Sequence, residues 1–248
     1  YLIKKEIKNI IVFDIVNDNS IDKTIFKEIK KLLSKIKDAE KNDLADILKN
    51  YGFSDEIYDI FSKEEIDYLA LDRIIDKYYV EKLMVVKVPY KCNKAKNEFI
   101  KRFIDINNIK NVLRAKQMDY KKEEIEKLFL SEGQEIPKWK FDELANTDSI
   151  SQAVSALEGS SYYSELKDSI DRYNREESVQ IFENALDRIY LKLIKDISQN
   201  NFVTIGPTIR FLISKEYEIK NLKIISKGVA ENLSSNLIKE LLIKEAGS

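Results

Sequence analysis

The sequence predicts an all-α protein, and three observations carry that expectation. Six glycines and three prolines stand among 248 residues, about a third of the usual share of turn-makers. Charged residues make up 34%, against about 25% in an average globular chain, and most are straight-chain residues that favour helix. Apolar residues then recur at helical spacing along most of the chain, with no convincing alternating strand. A hydrophobic content of 44% is enough to bury a core.

The helices follow in order. Residues 23–37 place Phe26, Ile29, Leu32, Leu33 and Ile36 on one side, with lysines on the other. Ser62-Lys63-Glu64-Glu65 reads as a capping box, opening a helix that runs to the Val88-Pro89 break. Residues 94–116 carry Phe99, Phe103, Ile106, Ile109 and Leu113 on one stripe, a helix of about 35 Å. A shorter helix over 121–131 buries Ile125, Leu128 and Phe129, with Gly133 suited to the residue past its end. Ser149-Ile150-Ser151-Gln152 is a second capping box, and Gly159 a second stop. Residues 177–198 carry Val179, Phe182, Leu186, Ile189, Leu193 and Ile197. Pro207 opens a helix through Ser226, with Gly228 beyond it, and a last helix covers 234–245.

Several function classes drop out on composition. With 42 basic and 43 acidic residues, a net charge of −1 gives no electrostatic reason to expect nucleic acid as a partner. The absence of histidine removes Ser-His-Asp and Cys-His catalysis and imidazole metal sites. The single cysteine, Cys92, forms neither an internal disulfide nor a thiolate zinc cluster. No phosphate-binding Gly-Lys-Ser loop is present. No residue is therefore assigned a catalytic, cofactor-binding or metal-binding role, and no cofactor is expected. The longest apolar runs, such as Ile10-Ile11-Val12-Phe13 and Leu83-Met84-Val85-Val86, are four residues. A bilayer span needs about 20, so no direct membrane span is expected. No signal peptide is visible, and the start at Tyr1 suggests a fragment.

The chain also repeats itself. Glu6-Ile7-Lys8-Asn9-Ile10, Asn108-Ile109-Lys110-Asn111-Val112 and Glu218-Ile219-Lys220-Asn221-Leu222 are versions of one motif, at spacings of 102 and 110 residues. The 35 isoleucines, 35 lysines and 18 asparagines would by chance produce roughly 0.4 Ile-Lys-Asn triplets, and there are three. Leu71-Asp72-Arg73-Ile74 returns as Leu186-Asp187-Arg188-Ile189, in each case about 35 residues before the triplet. A period near 105 is longer than that of solenoid repeats, so each unit is a helical subdomain. The expected organisation is the remainder of a truncated first repeat over 1–61, a second repeat over 62–175 and a third over 176–248.

This pattern resembles the C subunit of the archaeal and bacterial A/V-type rotary ATPases, the counterpart of the eukaryotic d subunit. The resemblance lies in Asp105-Ile106-Asn107-Asn108-Ile109-Lys110-Asn111-Val112-Leu113-Arg114 and in Glu132-Gly133. It continues in Gly206-Pro207-Thr208-Ile209-Arg210-Phe211-Leu212, in Lys215-Glu216-Tyr217-Glu218-Ile219-Lys220-Asn221-Leu222-Lys223-Ile224-Ile225, and in Gly228. It covers roughly 62–243. The resemblance implies three similar helical subdomains in a funnel about a pseudo-threefold axis. It also implies a non-catalytic part of the central stalk, peripheral on the cytoplasmic face of the cell membrane. The implied partners are the D and F subunits of the shaft and the membrane rotor ring, between which such a protein carries torque for ATP-linked ion transport.

The candidate interface residues are Lys110, Asn111 and Arg114 in the middle repeat and Glu216, Lys220 and Asn221 in the last. The competing reading is that these polar groups cap or brace neighbouring helices. Ile109 and Ile219 are expected in the core. Arg73 and Arg188 are expected to pair with acids on neighbouring helices, Tyr78-Tyr79 and Tyr162-Tyr163 to be half-buried, and Trp139 to cover a helix end. Glu216 and Glu218, two apart, diverge on a helix and make a poor acid/base pair. The alternative functions are a helical repeat scaffold for protein–protein interaction unrelated to ATPases and, from another class, a metal-dependent hydrolase using carboxylates alone.

Overall fold

The computed structural model describes residues 41–50 and 52–244, and every element there is helical. The helix expected over 23–37, the first Ile-Lys-Asn motif and the run Ile10–Phe13 lie outside the described residues. In order, the helices are α1 (Lys41–Asn50), α2 (Glu56–Phe61), α3 (Tyr68–Val85), a 3-10 turn (Tyr90–Cys92), α4 (Asn93–Gln117) and α5 (Lys122–Glu126). They continue as α6 (Lys138–Ala145), α7 (Ile150–Ser155), α8 (Tyr163–Asp168), α9 (Ile170–Glu176), α10 (Gln180–Asn200), α11 (Gly206–Ala230) and α12 (Ser235–Leu241). No strand occurs among the described residues, as the scarcity of glycine and of alternating patterns requires.

The chain divides into two compact units between Tyr78 and Tyr79. In the first, Leu48, Phe53, Ile57, Phe61, Leu71 and Tyr78 share a buried cluster, with the Phe53 and Tyr78 rings stacked at 4.0 Å. The expected capping box at Ser62 does not form. Ser62 closes α2 through its own N–H, and α3 opens later, where Asp67 Oδ1 accepts the Ala70 N–H at 2.9 Å. Aspartate is as good a cap as serine, and Asp67 stands directly before the apolar stripe.

The second unit is organised around α10. Leu191, Ile194, Ile189 and Phe182 are all buried, more than one stripe, because α10 lies between α4 and α11. A short connection joins α10 to α11, and Gly206 is required there. A Cβ on it would come within 2.8 Å of the Asn201 carbonyl oxygen. The helix expected over 121–131 shrinks to α5, and the chain then extends to α6. At α7 the capping box holds in part: Ser149 Oγ accepts from the Gln152 N–H, while the Gln152 side chain reaches back to Asp148 N–H. Gly228 does not end α11. It lies inside the helix, where its missing side chain admits Ile238 of α12.

Two stretches of this unit follow the same order of helix starts and helix ends at an offset of 113. Helices α4 and α11 are each 25 residues and start at 93 and 206. Each ends in a left-handed residue, Asp119 (φ 55°) and Asn232 (φ 56°). The closing hydrogen bonds correspond: Tyr120 N–H to Ala115 O at 3.0 Å, and Leu233 N–H to Gly228 O at 2.9 Å. Helices α5 and α12 then start at 122 and 235. The Ile-Lys-Asn triplets, 110 apart, are therefore one helical turn out of register. A helix rich in Ile, Lys and Asn offers such a triplet at several neighbouring turns.

Candidate protein interface

The six candidate residues divide by depth. Lys110 and Arg114 lie one turn apart on α4 and face α10, whose Glu183 and Asp187 are also one turn apart. Lys110 Nζ reaches Asp187 Oδ1 at 2.5 Å. Arg114 forks onto Glu183, with Nε to Oε1 at 2.5 Å and Nη2 to Oε2 at 3.0 Å. Both Lys110 and Asp187 are nearly buried, so water screens this pair little. The Tyr217 hydroxyl on α11 donates to the same Asp187 oxygen at 2.9 Å, tying three helices to one carboxylate. Burial, with the Asp187 charge beside it, pushes the Tyr217 phenol well above its ordinary value.

The asparagines brace chain returns. Asn111 is buried and its amide donates to Leu128 O at 3.2 Å. Asn221 holds the chain after α12 with two bonds, donating to Ile243 O at 2.7 Å and accepting its N–H at 2.9 Å. Asn108 does the same after α5, donating to Ser131 O and accepting the Leu130 N–H. The counterpart of Asn221 is thus Asn108, as the offset of 113 requires. Glu216 and Lys220 form a surface pair within α11 at 3.0 Å, and the Lys220 ammonium sits 4.2 Å from the centre of the Tyr217 ring. Glu218 turns instead to Lys215, so the two carboxylates do diverge.

Ile109 is buried as expected, but Ile219 is 53% exposed. Its counterpart in the structural register is Ile106, and the helices that cover α4 have no equivalent over α11 among the described residues. Arg73 meets Glu56 at 2.6 Å, and Arg188 approaches Glu165 at 3.6 Å, so both arginines find acids on neighbouring helices. Tyr79 and Tyr163 are half-buried as expected, whereas Tyr78 and Tyr162 are buried. Trp139 is 67% exposed and covers no helix end; it lies under the Lys140 ammonium.

Sequence reasoning missed a second polar centre. The Asp105 carboxylate, fully buried, accepts the N–H groups of Gln134, Glu135 and Ile136 and the Tyr162 hydroxyl at 2.7–3.1 Å. Arg102 joins it by bonding both Glu135 and the Tyr162 oxygen. Burial raises the Asp105 pKa, against the lowering effect of these hydrogen bonds. The sequence signal was Gly133. A Cβ there would fall 1.7 Å from Asp105 Oδ1, so this turn can wrap the carboxylate only without a side chain. Among the described residues no group of three or more acidic or thiol side chains could hold a metal ion. No helix there is long and apolar enough to cross a membrane.

Residues 1–241 match the family model of the ATP synthase (C/AC39) subunit. The chain is 35% identical over 176 residues to the A-type ATP synthase C subunit of Methanocaldococcus jannaschii, covering 71% of this chain and 44% of the relative. It is 35% identical over 178 residues to the protein of the same name from Methanobrevibacter smithii, covering 71% and 46%. With that of Pyrococcus horikoshii it shares 26% over 214 residues, covering 86% and 57%. The chain spans about half the length of the first two relatives. No solved structure gives a significant match. The family match runs through both Ile-Lys-Asn helices and the Asp105 turn, and the chain belongs to the ATP synthase (C/AC39) subunit family.

Proposed function

We propose that this chain is part of a non-catalytic component of the central stalk of an A-type ATP synthase. In this reading it couples a shaft built of the D and F subunits to the membrane rotor ring and transmits torque for ATP synthesis and ion transport. It sits peripherally at the cytoplasmic face of the cell membrane and performs no chemistry of its own. The family match over residues 1–241 is the observation that carries the reading. The physical character of the second unit supports it. A torque coupler must not shear, and α4, α10 and α11 are cross-tied by Lys110, Arg114, Asp187, Glu183 and Tyr217 rather than joined by apolar contact alone.

The test is assembly. The chain is mixed with D and F subunits of the same source and run over a sizing column at low and moderate salt. Co-elution as a stoichiometric complex is expected. Separate elution at both salt concentrations overturns the reading and leaves the general helical scaffold in its place.

A further inference from the structure

Two turns of the second unit hold apolar side chains in the open at one end of its long helices. Lys110 pairs with Asp187 and Arg114 with Glu183, so α4 and α10 run antiparallel. The connection 201–205 turns the chain back, and Tyr217 of α11 meets the same Asp187. Measured along each helix from that level, α4 starts, α10 ends and α11 starts about 17–26 Å away on the same side. The α3–α4 and α10–α11 turns therefore project from one end. The first exposes Met84, Val85, Val86 and Tyr90, the last at 91%, and the second exposes Phe202, at 71%, and Val203. Tyr90 and Val203 are counterparts at the offset of 113, so both copies of the repeated stretch carry the feature. The α3–α4 turn is tied in place, because the Lys96 ammonium donates to Met84 O and Val86 O at 3.1 and 3.0 Å. Both turns are also free of acid. Residues 82–97 hold five lysines and no carboxylate, and residues 197–215 hold Arg210, Lys215 and no carboxylate, in a chain whose acids and bases nearly balance. Lys87, Lys91 and Lys94 flank Tyr90 and are exposed.

We propose that this end of the unit rests on an anionic lipid surface. Met84, Val85, Val86, Tyr90, Phe202 and Val203 enter the headgroup region, and Lys87, Lys91 and Lys94 lie over the headgroups. Chemistry selects the occupant. Apolar side chains and a tyrosine interleaved with lysines are the pattern of a protein surface that lies on a bilayer. Each lysine near such a surface adds attraction, and no carboxylate in either turn opposes it. The apolar groups crown two turns rather than line a helix side, so a further helix packed as α10 packs on α4 leaves them uncovered. The net charge of −1 gives the chain as a whole no pull toward anionic lipid, so the attraction is local to this end. The inference concerns direct contact with lipid and does not use the proposed function, so the assembly test and this one can fail separately.

The test floats the full chain with vesicles of phosphatidylcholine, alone or with about 30% phosphatidylglycerol. Recovery with the anionic vesicles is expected, falling as salt rises, with little recovery on phosphatidylcholine alone. The pair Lys87→Glu, Lys91→Glu is expected to lower partitioning about tenfold or more, and the pair Tyr90→Ser, Phe202→Ser by about the same factor. Lys122→Glu with Lys127→Glu, beyond the other end of α4, makes the same change in net charge and is expected to leave binding as it was. Circular dichroism checks that each variant is folded; should a pair not be, Lys94→Glu or Val203→Ser takes its place and must weaken binding as well. The proposal is overturned by binding indifferent to salt or to both pairs at this end, or by an equal loss in the Lys122, Lys127 variant. An absence of flotation with anionic vesicles overturns it too, and leaves the two turns to a protein neighbour.

Discussion

Gly133 and Asp105 show how a buried charge is kept at the cost of one permitted residue. The Asp105 carboxylate needs the Gln134, Glu135 and Ile136 N–H groups, and the turn presents them only if no side chain occupies position 133. Gly133→Ala is therefore expected to displace the turn and cost about 2–4 kcal/mol, read as the loss in unfolding free energy by denaturant titration. Glu135 adds a pH dependence. Burial pushes its carboxyl up, but hydrogen bonds from Ser161 and Arg102 outweigh this and hold it below its ordinary value. The folded state therefore binds this proton less readily than the unfolded one. The stabilisation is present above the ordinary glutamate range near 4.3 and is lost as pH falls through the lowered value. Glu135→Gln should melt below the wild type at pH 7, with the gap closing under acid. The raised Asp105 pKa has the opposite sign, favouring the fold at low pH, but it is common to both proteins and drops out of their difference. A gap in melting temperature independent of pH would show that Glu135 acts through packing alone.

Between helices, the two kinds of charge pair on this chain should differ sharply in worth. Glu216 and Lys220 are partly exposed neighbours on one helix, worth a few tenths of a kcal/mol. Lys110 and Asp187 join α4 to α10 in a nearly dry setting, and among the described residues Asp187 keeps only the Tyr217 hydroxyl if the lysine is removed. Lys110→Ala is expected to cost about 3 kcal/mol, because it strands a buried carboxylate. Adding Asp187→Ala should recover part of that loss, giving a coupling of about 1–2 kcal/mol in a double-mutant cycle. Strict additivity of the two single losses would mean that the helices are held by apolar contact and the ion pair is incidental.

Across the molecule, what was legible in the sequence was periodicity, and what was not was the identity of the covering helix. The long helices α4, α10 and α11 could be read because a stripe of Ile, Leu and Phe every three or four residues leaves few other folds open. Ser62 misled because any Ser-x-x-Glu before an apolar run resembles a cap, and only tertiary packing shows that Asp67 takes the role. Ile219 misled for a related reason. An amphipathic pattern says that a face is apolar, not that anything covers it, and Ile106 and Ile219 have the same chemistry with opposite exposure. Lys110, Arg114 and Asn111 could be marked as important from their pattern, but their partners Glu183, Asp187 and Leu128 lie 17–77 residues away in sequence. Exposure of this kind sets local stability, since a helix opens as readily as its contacts allow. Amide hydrogen exchange on the chain alone should accordingly be slowest in the middle of α4 and α10, which are packed on several sides. The last turns of α11 and all of α12, which has no buried residue and is tied back chiefly through Asn221 and Gly228, should exchange fastest. Equal protection of α11 and α4 would mean that the open face is already covered in solution, and the contrast between the duplicated helices would then vanish.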